Sequence, residues 1–228
     1  MELLAGIIAF MLGACAGSFV NAWVWRTREN LAIVVSHSIC PHCRERIWRR
    51  DNIPIIGFLF LAGRCRQCRA PISWQYPLVE LAAGLLFLLT AATHYYAGNY
   101  TSVHLWRDFI ILTLLATIFV YDLRFGEILD KTTTIPSLIL IPASLAFHWL
   151  TPSSLALGII IGPGLFFLMY VMSRGAWIGG GDVRLGLFMG AILGWPNILL
   201  ALLLAYVLGA VVRAIFIILK KKNMKRAT

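Results

Sequence analysis

Long apolar runs separated by short polar gaps dominate the chain, and the gaps set its organisation. A helix that crosses a bilayer takes about 20 predominantly apolar residues. By that measure the pattern predicts seven spans: about Leu3 to Trp25, Pro77 to Tyr96, Leu105 to Tyr121, Ile135 to Leu150, Ser154 to Met172, Val183 to Trp195 and Asn197 to Leu219. The boundaries around Pro152 and Gly194-Trp195-Pro196 leave room for an eighth crossing. The first run closes on Trp23 and Trp25, as suits a membrane interface, and its Gly13, Gly17 and Ser18 predict a face for close helix packing. Cys15, with no cysteine nearby in sequence, reads as a small buried hydrophobe. Met1-Glu2 opens on an acid instead of a basic stretch, so the run is expected to be a retained helix and not a cleaved signal. No internal repeat or low-complexity tract is found.

Composition narrows the class. Hydrophobic residues make up 60% of the 228 and charged residues only 13%, against roughly 25% charged in soluble domains, which makes this an all-α polytopic membrane protein. A net charge of +10 could mark a nucleic-acid binder, but the arginines and lysines fall in the gaps between spans and at the C-terminus. That distribution reads as membrane orientation, and no nucleic-acid partner is expected. Between Arg26 and Gln75 nine arginines oppose only Glu29, Glu45 and Asp51, so this loop is predicted to be cytoplasmic and the N-terminus outside. Seven crossings then return the C-terminus to the cytoplasm, where Lys220-Lys221-Lys222 and Lys225-Arg226 lie. The expected division is a first span (1–25), a cytoplasmic loop module (26–76), a membrane core (77–219) and a basic tail (220–228).

Four of the five cysteines stand as Cys40-Pro41-His42-Cys43 and Cys65-Arg66-Gln67-Cys68, two C-x2-C pairs with 21 residues between them. Two such pairs suit the tetrahedral thiolate set of a structural Zn²⁺ site. Disulfides are rare in the cytosol, and a module of about 30 residues has too small a core to fold without a staple. A redox pair or free thiols are the alternatives. His42 is read as a bystander between two ligands.

Two aspartates sit where apolar runs give way to polar stretches: Asp122 in Val120-Tyr121-Asp122-Leu123-Arg124, and Asp182 in Gly179-Gly180-Gly181-Asp182-Val183-Arg184. A carboxylate beside hydrocarbon is costly and usually functional. Two carboxyls sharing one proton can hydrolyse a peptide bond without a metal or covalent nucleophile. Alone, the glycine run could be an ordinary loop with Asp182 capping a helix.

Taken with the tetracysteine loop, these acids make the chain resemble the type IV prepilin leader peptidases, which are bifunctional peptidases and N-methyltransferases. The resemblance runs through Gly17-Ser18-Phe19-Val20-Asn21, Cys40-Pro41-His42-Cys43, Asp51-Asn52-Ile53-Pro54, Gly63-Arg64-Cys65-Arg66-Gln67-Cys68 and Pro71-Ile72-Ser73. It continues in Tyr76-Pro77-Leu78-Val79-Glu80-Leu81 and Gly181-Asp182-Val183-Arg184-Leu185. It implies that Asp122 and Asp182 are the catalytic pair, with Gly179, Gly181 and Asp130 in the active-site loop. It further implies an inner-membrane enzyme of seven or eight spans that cuts the leader of prepilins or pseudopilins at the cytoplasmic face, then methylates the new N-terminus with S-adenosylmethionine. Asn21 and Glu80 are candidate cofactor or amine contacts, and Glu127 is expected to be solvated. The family's usual acid two residues after the first catalytic aspartate is Arg124 here, its Leu-Pro before the later acid is Ile128-Leu129, and its usual lysine after the second is Arg184.

Two other readings compete. A cation- or proton-coupled transporter could use Asp122 and Asp182 as ion carriers, although it would favour acids near the midplane. A non-catalytic, zinc-stabilised assembly factor would use them only as helix caps.

Overall fold

The computed structural model describes residues 3–33, 37–98 and 102–224. Among these there is no strand, only the isolated bridges Ile39–Arg46 and Arg64–Pro71. Eight α-helices follow one another: α1 (Leu3–Arg28), α2 (Ile56–Phe60), α3 (Gln75–Tyr96), α4 (Ser102–Phe125), α5 (Thr134–Ala146), α6 (Pro152–Ser173), α7 (Gly180–Leu193) and α8 (Asn197–Met224). All seven apolar runs form helices. Five, namely α1, α3, α4, α6 and α8, are long and apolar enough to cross a membrane. The other two, α5 and α7, have 13 and 14 residues, about 20 Å at 1.5 Å per residue against a hydrocarbon core of about 30 Å. Met1-Glu2 and the Lys225-Arg226 end of the basic tail lie outside the described residues.

The chain forms two compact units that divide after Glu127, inside the segment the sequence treats as a single core. In the first unit, α1 and α3 run antiparallel. Gly13 lies against Ala83 and Gly84, Gly17 against the backbone of Glu80, and Asn21 against Tyr76 and Gln75. A side chain at Gly13 or Gly17 would overlap the α3 backbone, which is how a membrane helix pair gains close packing without a hydrophobic driving force. Phe87 of α3 stacks on Phe109 of α4 with ring centroids 4.1 Å apart, beside Ala9 and Ala91. His94 of α3 meets Asp108 of α4 at 2.8 Å. At the opposite end, Arg28 of α1 lies over the Phe125 ring of α4, so the ends of α1 and α4 and the start of α3 share one end of the unit with the cysteine loop.

Cys15 is exposed, contrary to the expectation of burial. Gly13 and Gly17 take the packed face, as their small size predicted, together with Ala14, and Cys15, two residues from each glycine, points away from it.

The second unit is built on α6 crossing α7 antiparallel through four glycines. Gly158 and Gly162 of α6 meet Gly190 and Gly186 of α7, backbone against backbone. The hydroxyl of Ser154 donates to the Trp195 carbonyl at 2.7 Å and fastens the end of this crossing. Local signals set the ends: Thr151 caps α6 through the Ser154 N–H with Pro152 in its first turn, and Gly194, at φ 60°, closes α7.

Candidate metal centre and acidic site

The four sulfurs of Cys40, Cys43, Cys65 and Cys68 lie within 4.8 Å of one another, with Cys40 and Cys68 3.9 Å apart. A tetrahedral ion with bonds of about 2.3 Å requires sulfur separations of about 3.8 Å, so a small contraction completes the site. His42 is exposed and takes no part in the cluster.

The two knuckles are local copies of each other. In the first, the Cys40 N–H donates to the Glu45 carbonyl and the Arg44 N–H to the Cys40 carbonyl; in the second, Cys65 donates to Ala70 and Arg69 to Cys65. Arg44 and Arg69, each one residue past the second cysteine, hold φ of 60° and 58°. The sequence carried the signal as Cys-x2-Cys-Arg-x2-Ile at Cys40 to Ile47 and again at Cys65 to Ile72, a duplication too short for a search for repeats to find.

The thiols are unequal. The backbone N–H groups of Cys68 and Gln67 favour the Cys65 thiolate against its burial and bring it down to about 7. The Glu45 N–H lowers Cys43, but desolvation and the neighbouring Cys40 and Cys68 sulfurs outweigh it and push that thiol up to about 11. A bound cation is the natural means of deprotonating all four together.

Acids tie this basic module together. Arg66 donates to Asp51 through both Nε and a terminal nitrogen, at 2.7 and 2.6 Å, and the guanidinium holds the Asp51 carboxyl below its ordinary value. Arg44 pairs with Glu29 at 2.7 Å. Glu80, 7% exposed, accepts the Ile55 N–H at 2.6 Å and so joins the module to α3. Asn21 is 2% exposed; it donates to the Tyr76 carbonyl and accepts from Gln75, fixing the start of α3 on α1.

Asp122 is exposed on the last turn of α4, where Gly126, at φ 65°, ends the helix by donating its N–H to the Asp122 carbonyl. It stands at the same end of the first unit as the cysteine module. Glu127 is exposed. In the second unit, Asp182 is half-buried in the first turn of α7, and its Oδ2 accepts the Gly179 N–H at 3.1 Å. A carboxylate there is favoured by the helix dipole. Asp130 pairs with Arg184 at 2.6 Å, and Ile128 packs so closely on Gly181 that a side chain at that glycine would have to displace it. The resemblance carried Gly179, Gly181, Asp130 and Asp182 separately; in this unit they form one cluster around the start of α7.

A multi-pass helical protein with a tetracysteine module and membrane-edge acids is the class that fold and site define. The family model described as bacterial peptidase A24 N-terminal domain matches residues 11–94, and that of the type IV leader peptidase family matches 109–214. The prepilin leader peptidase/N-methyltransferase of Klebsiella pneumoniae is 35% identical over 88% of this chain and 90% of its own length. Those of Myxococcus xanthus and Bacillus subtilis are 33% and 31% identical, over 92% and 89% of this chain and 62% and 79% of their own lengths. No solved structure matches. The chain belongs to the type IV leader peptidase family.

Proposed function

We propose that this protein is a membrane aspartic endopeptidase that cleaves the leader of type IV prepilins or pseudopilins and then methylates the new N-terminus. The observation that carries the reading is a single family match spanning residues 109–214, which contain both Asp122 and Asp182. Nothing in the fold or the comparisons favours a transporter.

In this mechanism one of Asp122 and Asp182 is ionised and the other protonated. The ionised carboxylate takes a proton from water as its oxygen bonds to the peptide carbonyl carbon, and the protonated partner donates to the carbonyl oxygen. The C–N bond then breaks, with the proton passing to the departing amine. Asp130 and Arg184 hold the loop before α5 on the start of α7. The close seat of Gly181 on Ile128 supports that arrangement.

Cys40, Cys43, Cys65 and Cys68 hold Zn²⁺, which supplies the fold of the module. S-adenosylmethionine supplies the electrophilic methyl group for the second reaction. The chain resides in the bacterial inner membrane with its N-terminus outside and its arginine-rich module in the cytoplasm, following the bias of positive charge. That places the module on the side where the basic leader of a prepilin lies.

Incubation of the purified protein with a prepilin tests the reading. Wild type releases the leader, and Asp122→Asn and Asp182→Asn each abolish release while remaining inserted and folded. Full cleavage by either well-folded variant would exclude the aspartic mechanism.

A further inference from the structure

A cavity of about 710 Å³ lies between the cysteine module and the adjoining ends of α1, α3 and α4, wholly within the first unit. Its size falls inside the roughly 300–1,000 Å³ of small-molecule sites. Trp25, Trp48 and Phe58 give it aromatic surface, Ser18 a hydroxyl, and Glu80 and Arg124 opposite charges.

Glu80 is the informative member. The residue is buried at the start of α3, and its carboxylate's partners are the Ile55 N–H and the Ser18 hydroxyl. Among the described residues no ion pair involves it. Of the cavity's other acids, Asp51 is matched by Arg66 and Glu45 is exposed to solvent, which leaves Glu80 as the buried one without an ion pair. A buried carboxylate whose charge no cation offsets is expensive, and one that lines a cavity is placed to receive a cation from a ligand. Arg124 supplies the complement. It stands where the family resemblance leads one to expect an acid, it lines the same cavity, and its guanidinium rests near the Phe125 ring. Tyr76 lies within electrostatic reach of both charges. The ligand that fits carries a cationic centre, an anionic group and a flat aromatic portion.

Building on the methylation in the functional proposal, we infer that this cavity is the S-adenosylmethionine site, with Glu80 facing the cationic sulfonium end and Arg124 taking the α-carboxylate. Adenine would lie against the aromatic wall, since stacking on a π face needs no further polar partners. Asn21 does not line the cavity and has both ends of its amide engaged, so its part is to position α3.

The test uses the full-length, zinc-containing protein in detergent, with binding measured by calorimetry and prepilin cleavage assayed on the same preparation. Wild type is expected to bind S-adenosylmethionine more tightly than S-adenosylhomocysteine, which lacks the sulfonium charge. Glu80→Gln should weaken S-adenosylmethionine by about tenfold or more and erase the preference. Arg124→Gln should weaken both ligands alike. Zinc content reports whether each variant is folded. Photolabelling of wild type with an azido-adenine analogue needs no variant, and the label should map to peptides within 15–26 or 39–58. Wild type that cleaves prepilin yet binds no S-adenosylmethionine, label found in the second unit, or zinc-loaded Glu80→Gln that keeps the full sulfonium preference would each overturn the assignment while leaving the peptidase intact. Wild type that neither cleaves nor binds would overturn both.

Discussion

Asp130 and Arg184 form a 2.6 Å ion pair that fastens the turn before α5 to the first turn of α7, two residues from Asp182. The pair accounts for the acid and the base that the family resemblance placed apart in sequence. Both side chains are well exposed, 62% and 44%, so its contribution to stability is small.

A double-mutant cycle with Asp130→Asn and Arg184→Gln is therefore expected to give a coupling in thermal stability below about 1 kcal/mol. The same variants should lower the cleavage rate more than they lower stability, because they release the loop beside Asp182. A coupling of several kcal/mol would mean the pair is structural and not a positioning device.

The glycine crossing of α6 and α7 predicts a sharp contrast between glycines. Gly190→Val places a side chain into the Gly158 backbone and should destabilise the second unit by about 1–3 kcal/mol or more, as overpacking does. Gly164→Ala, in the same α6 but facing open space, should be neutral or stabilising by up to about 1 kcal/mol. Thermal unfolding in detergent separates the two, and equal melting temperatures would refute the crossing.

The tetracysteine site should carry one zinc per chain, and chelation or Cys65→Ser should release it and unfold the module, since binding and folding are coupled in units this small. If the module serves methyl transfer, Cys65→Ser reduces methylation of the mature pilin more than leader cleavage, read by mass spectrometry beside a cleavage gel. Equal loss of both at normal protein level would make the module part of the peptidase.

Asp51 sets an acid limit on the module. Its native carboxyl titrates below the ordinary 3.8 because Arg66 stabilises the ionised form. The contribution is therefore fully present above pH 3.8 and is lost as pH falls through the lower native value. Asp51→Asn should melt below wild type near pH 6, by an amount kept modest by the exposure of Arg66, and the gap should narrow below pH 4. A gap that widens in acid would reverse the sign and reject the pairing.

Much of this was legible because hydropathy and chemistry mark different residues. The apolar runs located seven helices, and the cysteines and aspartates stood out against them. Length was harder to read: the run from Ile135 continues apolar to Leu150, but the helix stops at Ala146, a backbone event that hydropathy does not record. Within α1 the small residues Gly13 and Gly17 did mark the packed face, whereas Cys15, two residues from each, was expected to be buried and is exposed. The four crossing glycines stood in plain view as Gly158-x3-Gly162 and Gly186-x3-Gly190, yet their meaning depends on which two helices meet. Glu80 could be singled out as a polar residue at a membrane edge, but its lack of a neutralising partner is a property of three dimensions.

A metal held by the copied knuckles would be the clasp of a polymer ring. The 21 residues between Cys43 and Cys65 form a loop whose two ends the ion would hold together, and each end is shaped by its own local hydrogen bonds. The entropy of closing such a ring grows only slowly, about 0.6 kcal/mol for each doubling of its length. The ring can therefore grow at the exposed stretch around Leu59 and Phe60 without forfeiting the ion. A few glycines and serines inserted there should leave zinc content unchanged, whereas a single residue inserted between Cys65 and Cys68 should abolish it.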